Sequence, residues 1–282
     1  MIPDSDSEPR PPLTLAFVFV LALLAPLSHL LWLILFEKIG VQLAASQLGM
    51  SALVTYGLMF ALCAQRFRQP PARQIGLVSA PASAWIAVVF LVAAIIVSSE
   101  IDNVVKSIAP PPPAPPPDPD PSHLRPQALA AAGTLVWVLA FPLAYNLFYR
   151  GVLQPLATTQ LGVIPGVLVS ALLSGFGASF LPSLMAHGPW PFVPGFLNAL
   201  VLCILRQSSG SLWPAIALDS LWGVAQVCAS YQLFGLAGFD GAGAHTPAGW
   251  VVGCTALTVV GLVLCRAAAR GGTTGSSSAA RG

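Results

Sequence analysis

Phe141-Pro-Leu-Ala-Tyr-Asn-Leu-Phe-Tyr-Arg-Gly151 closes an apolar run with one arginine, Arg150. A guanidinium set against so apolar a background must find its partners elsewhere in the chain. The rest of the chain is of the same character: of 282 residues, 56% are hydrophobic and 8% are charged. One water-soluble core cannot cover that much apolar surface, so a bilayer has to act as solvent. The fold class expected is all-α, that of a polytopic membrane protein. The net charge of +2 is spread thinly and leaves no footprint for nucleic acid.

Apolar runs approaching the roughly 20 residues that a spanning helix needs lie at 13–36, 41–64, 82–99, 128–149, 163–181, 191–206, 212–234 and 248–265. They predict about eight transmembrane helices. The sixth run is short and begins with Pro191 and Pro194, which leaves a count of seven open. The N-terminus, Met1-Ile-Pro-Asp-Ser-Asp6, is acidic where a secretory signal is basic, and no small-residue cleavage site follows the first run, so that run is expected to stay in the membrane. Lys and Arg accumulate in short cytoplasmic loops. With the N-terminus inside, Arg10, Arg66, Arg68, Arg73, Arg150, Arg206, Arg266, Arg270 and Arg281 fall on the cytoplasmic side, and only Lys38, Lys106 and Arg125 on the other. Both termini are therefore expected in the cytoplasm, with Arg150 near the cytoplasmic face.

With Arg150-Gly151 and the adjoining Val152-Leu-Gln154, the opening stretch resembles the first signature of the CPBP intramembrane endopeptidases, the group that contains CAAX prenyl proteases and bacteriocin-processing proteins. That signature is Glu-Glu, three residues, Arg; here Tyr145 and Asn146 occupy the Glu positions. The second motif, Phe-x-x-x-His, falls within Val169–Ala178, with Ser174 in place of the aromatic residue and Ala178 in place of the histidine. The third follows a Gly-Ser-Leu start, kept as Gly210-Ser-Leu-Trp-Pro214, and its His-x-x-x-Asn is here Asp219-Ser-Leu-Trp-Gly223.

The resemblance implies a CAAX-protease-like helical bundle with a water-accessible cavity inside the membrane. In the family a glutamate there activates water, with histidines and an asparagine around it. It implies a division into an N-terminal three-helix region (1–127) with a Pro-rich outer loop (109–121), a CPBP-like core (128–234), a last transmembrane helix (235–270) and a disordered tail (271–282). A bacterial inner (cytoplasmic) membrane is the expected location.

All five family positions, Tyr145, Asn146, Ala178, Asp219 and Gly223, are changed, so no residue is assigned as catalytic. The cavity and binding candidates are Tyr145, Asn146, Arg150, Ser174 and Asp219. The function expected is a non-catalytic scaffold or regulator that binds a membrane protein or a lipid-modified tail. The alternative is an active CPBP-type endopeptidase with a rearranged site and Asp219 as base. Apart from the lipid bilayer, the partner expected is a membrane protein or substrate tail. No cofactor and no metal is expected.

Asp219 lies well inside an apolar run, where an acid costs about 2.5–3.5 kcal/mol on insertion scales. Three readings stay open: an ion pair or hydrogen-bond network with Arg150, Tyr145 and Asn146, a relocated catalytic carboxylate, or a partly hydrated helix end. Other residues point to packing or solvation. Ser174, Gly175, Gly177, Ala178 and Ser179 make one smooth helix face on which another helix can approach closely. The five cysteines lie in or at the ends of apolar runs with no Cys-x-x-Cys pair, and are expected as small packing residues. His29 reads as a packing histidine; His123, His187 and His245 fall in loops without metal-ligand spacing. Glu100 and Asp102, ahead of Lys106, read as a solvated helix end. Ala109–Pro121 reads as a stiff polyproline spacer or a docking strip, and the tail carries no prenylation signal.

Overall fold

Helices and closed barrels are the structures that satisfy every backbone polar group in lipid, and this chain takes the helical form. The computed structural model describes residues 12–39, 44–67, 70–108, 110, 134, 136–185, 191–230, 235–239 and 245–274. Among them are eight long helices: α1 (Leu15–Lys38), α2 (Ala44–Ala64), α3 (Ala82–Ile108), α4 (136–161), α5 (Val163–Met185), α6 (Phe192–Ser209), α7 (Trp213–Ser230) and α8 (Ala248–Thr274). A single turn, Pro71–Gln74, lies between α2 and α3. By length and composition α1, α3, α5, α6 and α8 can each cross a membrane. The chain is an all-α polytopic membrane protein, and its short sixth run is the continuous helix α6.

Two helices run further than their hydropathy. The third apolar run ends at residue 99, but α3 continues to Ile108, bending at Val92 and Ala93. Glu100 and Asp102 thus lie within a helix and not at its solvated end. The fourth run ends just before Arg150, but α4 continues to Leu161, eleven residues and about 16 Å further on. Arg150 is not at the helix end near a face of the membrane; it is fully buried inside the bundle. Helix α4 carries two π-helical segments, Val136–Ala140 and Tyr149–Leu153, the second of which contains Arg150. Single π turns inside α-helices recur at functional sites. Helix α8 runs to Thr274, into the stretch read from sequence as the tail. The Pro-rich 111–121, His123 and His187 lie outside the described residues.

Two apolar clusters make the core. The first joins α1, α2 and α4 around Tyr56, Phe148 and Tyr149; the second joins α3, α6, α7 and α8 around Leu91, Leu205, Leu218 and Trp222. Helix α5 bridges them, and its contact with α6 uses the smooth face: a Cβ on Gly175 would stand 2.7 Å from the Phe196 Cα. A Cβ on Gly177 would collide with the Tyr149 hydroxyl. Four cysteines are buried and Cys228 is half-buried, and all five are free.

The connector between α2 and α3 packs against the turn between α6 and α7. Leu212 N donates to Gly76 O (2.8 Å), Ser211 Oγ to Val78 O (2.6 Å) and Arg206 Nη2 to Ile75 O (3.2 Å). Ile75 sits beneath Gly151, where an added Cβ would lie 3.1 Å from the Ile75 Cβ. Gly210 takes φ 65° to end α6, and Ser211 Oγ accepts from Trp213 N (3.3 Å) to cap α7. The retained motif parts, Arg150-Gly151 and Gly210–Pro214, therefore lie at this junction, where α4, the connector and the start of α7 meet.

Candidate functional site: a cavity between the two clusters

A cavity of about 600 Å³ lies where the two clusters meet. Helix α4 contributes Phe141, Pro142, Tyr145 and Arg150, and α5 contributes Ala178 and Ser179. Helix α7 adds Asp219, Trp222, Gly223, Gln226 and Ala229, the spacing of one helix face. Helices α3 and α6 close the sides, with Ser98, Ser99 and Asp102 on one and Asn198 on the other. The cavity reaches from Arg150 and Asp219 towards the end of the bundle where α3 ends, α6 begins and Phe239 follows α7.

Of the five changed family positions, Tyr145, Ala178, Asp219 and Gly223 line this cavity. Asn146 stands one layer behind, fully buried, and its Nδ2 donates both to Asp219 Oδ2 (2.6 Å) and to Pro142 O (2.7 Å). Asp219 itself is half-buried. This acid is held in a hydrogen-bond network, which is the first of the three arrangements weighed for it. Ser174 is also in the second layer: its Oγ donates to Ser170 O (2.7 Å) and faces Arg150 Nη2 at 3.5 Å.

Arg150 does not close an ion pair with Asp219. Among the described residues the ion pairs are Asp102–Lys106 and Glu100–His245, both near the cavity mouth. The guanidinium instead stacks 5.1 Å from the centre of the Tyr145 ring, a cation–π arrangement. Its Nε and Nη1, and Asn146 Oδ1, make no protein hydrogen bond. Below it, Gln154 Nε2 donates to Cys203 O (2.8 Å) and ties α4 to α6.

The replacement at the first Glu position is accommodated by aromatic packing. The Tyr145 ring lies 4.9 Å from that of Tyr56 and 4.7 Å from that of Tyr149, and its hydroxyl donates to Ser174 O. Tyr56 OH donates to Gly177 O (3.4 Å), and His29 sits edge-on to the Tyr56 ring at 6.2 Å. A tyrosine whose hydroxyl is bonded to a helix carbonyl fixes α4 against α5; it cannot serve as the base a glutamate would be.

Sequence reasoning did not find Ser98, Ser99, Ser179, Asn198, Trp222 or Gln226 as cavity residues. For α7 a signal existed, since Gln226 stands seven residues after Asp219 on one helical face. Among the described residues, no group of three His, Cys, Asp or Glu could hold a metal ion.

The arrangement is that of a polytopic membrane protein built around one polar cavity. Residues 127–225 match the family model described as Rce1-like, type II CAAX prenyl endopeptidase, which agrees with the CPBP resemblance of the sequence. That match spans α4 to most of α7 and so takes in four cavity-lining family positions and Asn146 behind them. No curated protein and no solved structure matches the chain.

Proposed function

We propose that this Rce1-like membrane protein uses its cavity to bind without cutting, holding a segment of a membrane protein or a lipid-modified tail. The observation that carries this reading is the state of the family positions. Tyr145 is committed to packing, Asn146 is committed to Asp219 and Pro142, and Ala178 and Gly223 carry no functional group. The frame around them is intact, and the cavity of about 600 Å³ remains. Its walls mix apolar side chains with amides and hydroxyls, a lining that suits an occupant carrying both apolar groups and hydrogen-bonding atoms.

One observation favours a second reading, an endopeptidase with Asp219 as base: this carboxylate borders the cavity and is oriented by an amide donor. The two readings separate in one experiment. Wild type, Asp219→Asn and Asp219→Ala are crosslinked in cells, purified in mild detergent and analysed for bound partner and for shortened substrate. The binding reading expects a near-stoichiometric membrane partner that Asp219→Ala weakens, with no cleavage product. A product made by the wild type and lost in Asp219→Asn would refute it and establish the second reading.

A further inference from the structure

A second polar cluster stands at the cavity mouth, on the part of α3 that continues past its apolar run. Ser99, Glu100 and Asn103 lie on adjoining positions of that helix and all bond to the connection between α7 and α8. Ser99 Oγ donates to Gly238 O (3.3 Å), and so does Asn103 Nδ2 (2.8 Å). Glu100 Oε2 accepts from Thr246 N (2.8 Å) and from Asn103 Nδ2 (3.2 Å), while Glu100 Oε1 faces His245 Nδ1 at 2.7 Å. The Glu100 side chain is only 15% exposed. A carboxylate so placed and so fully supplied with donors makes the strong class of hydrogen bond. Helix α3 thus grips the connection at two points, residue 238 and residues 245 and 246.

The grip reaches the cavity through Gly238 and its neighbour. This glycine adopts φ 81°, a conformation that turns the chain sharply, and the next residue, Phe239, lines the cavity. Ser99, one of the gripping residues, also lines it. Two of the bonds go to the same backbone carbonyl, so the position of Phe239 is tied directly to α3.

Resting on the reading of the cavity as a binding site, we propose that Ser99, Glu100 and Asn103 form a clasp that sets access to it. With the bonds made, Phe239 stands in the wall of the mouth; with them broken, Phe239 leaves that wall and the floor around Ala178 and Asp219 opens. The occupant, whatever its class, has to pass this clasp.

The test needs no occupant. Ala178→Cys places a thiol in the cavity, in a Cys228→Ser background, since Cys228 is the half-buried native cysteine and the four buried ones report on unfolding. Purified protein in detergent is reacted with a charged, membrane-impermeant maleimide, and the labelling rate is followed by mass spectrometry. The Glu100→Ala/Asn103→Ala double variant is expected to label at least tenfold faster, with the buried cysteines silent. Lys106→Ala, which breaks the rim ion pair with Asp102 but touches nothing on the connection, is expected to stay within twofold of the parent. A double variant within twofold of the parent would overturn the clasp, as would an equal acceleration by Lys106→Ala. If the double variant exposes the buried cysteines, Ser99→Ala decides, since it removes one bond only: faster labelling with silent buried cysteines supports the clasp, and an unchanged rate overturns it. Loss of the binding reading would leave these rates unaffected, so the two proposals fail separately.

Discussion

Replacing Asp219 by alanine removes two things at once, and the structure gives the size of each. The first is the bond from Asn146 Nδ2 at 2.6 Å, an amide donating to a carboxylate, of the kind that contributes about 1.5–3 kcal/mol. The second is the negative charge nearest a guanidinium that is fully buried and has two nitrogens without protein partners. Removing one partner of a buried charge pair costs about 3–5 kcal/mol. Arg150 and Asp219 do not form a direct ion pair, so this range is an upper bound here. Asp219→Ala is therefore expected to destabilise by about 2–4 kcal/mol, and Asp219→Asn, which can keep a hydrogen bond to Asn146, by less. Equilibrium unfolding in mixed detergent micelles, followed by tryptophan fluorescence, measures both. Combining Asp219→Leu with Arg150→Met should cost less than the sum of the two single changes, because the double variant leaves no charge stranded. An Asp219→Ala protein within about 0.5 kcal/mol of wild type, the range of ordinary surface substitutions, would refute the network and return Asp219 to a hydrated helix end.

Two further predictions test the frame. Gly175→Leu forces α5 away from the Phe196 backbone, which a single Cβ would already approach to 2.7 Å, and should destabilise by at least the roughly 1–3 kcal/mol typical of overpacking. Gly57→Ala on α2 meets nothing within 4 Å, and is expected to stabilise by roughly 0.5–1 kcal/mol through helix propensity; the same unfolding assay should return opposite signs for the pair. Ser211→Ala removes the cap of α7 and the bond to Val78 O at 2.6 Å, at a cost of about 1–2 kcal/mol. Hydrogen exchange in that variant should rise first in residues 76–80 and 211–214.

The all-α membrane fold was legible because apolar runs near spanning length are a strong signal, and eight of them correspond to eight helices. The signal failed at two ends for one physical reason. Hydropathy treats a polar residue as facing water, and it cannot tell water from a polar interior. Ser98, Ser99, Glu100, Asp102 and Asn103 therefore looked like the end of α3, although they line the cavity or hold the connection beside it. Arg150 and Gln154 looked like the end of α4, although the first stacks on Tyr145 and the second bonds the Cys203 carbonyl. In the site, the motif frame brought Tyr145, Arg150, Asp219 and the changed positions into view. It did not distinguish the wall from the layer behind it, where Asn146 and Ser174 lie. That distinction depends on the rotation of α4 and α5 about their axes, which close packing at Gly175 and Gly177 decides. The bond between Asn146 and Asp219 spans 73 residues of sequence, and no local pattern records it.

The two ends of the bundle differ in charge, and the difference bears on what the cavity takes. Arg66, Arg73, Arg206 and Arg266 gather at the end where the connector meets the turn between α6 and α7; Lys38 and Lys106 lie at the mouth end. With Arg150 inside the bundle it no longer counts as a loop residue, yet the asymmetry persists without it. On the rule that basic residues stay inside, the mouth then faces away from the cytoplasm. An occupant on that assignment is a membrane or extracytoplasmic segment, and a tail lipidated in the cytoplasm would meet the closed, basic end. Labelling Ala178→Cys in intact cells and in inverted vesicles decides it. Reaction in intact cells favours the membrane-protein partner, and reaction only in inverted vesicles reverses the assignment and brings the lipid-modified tail forward.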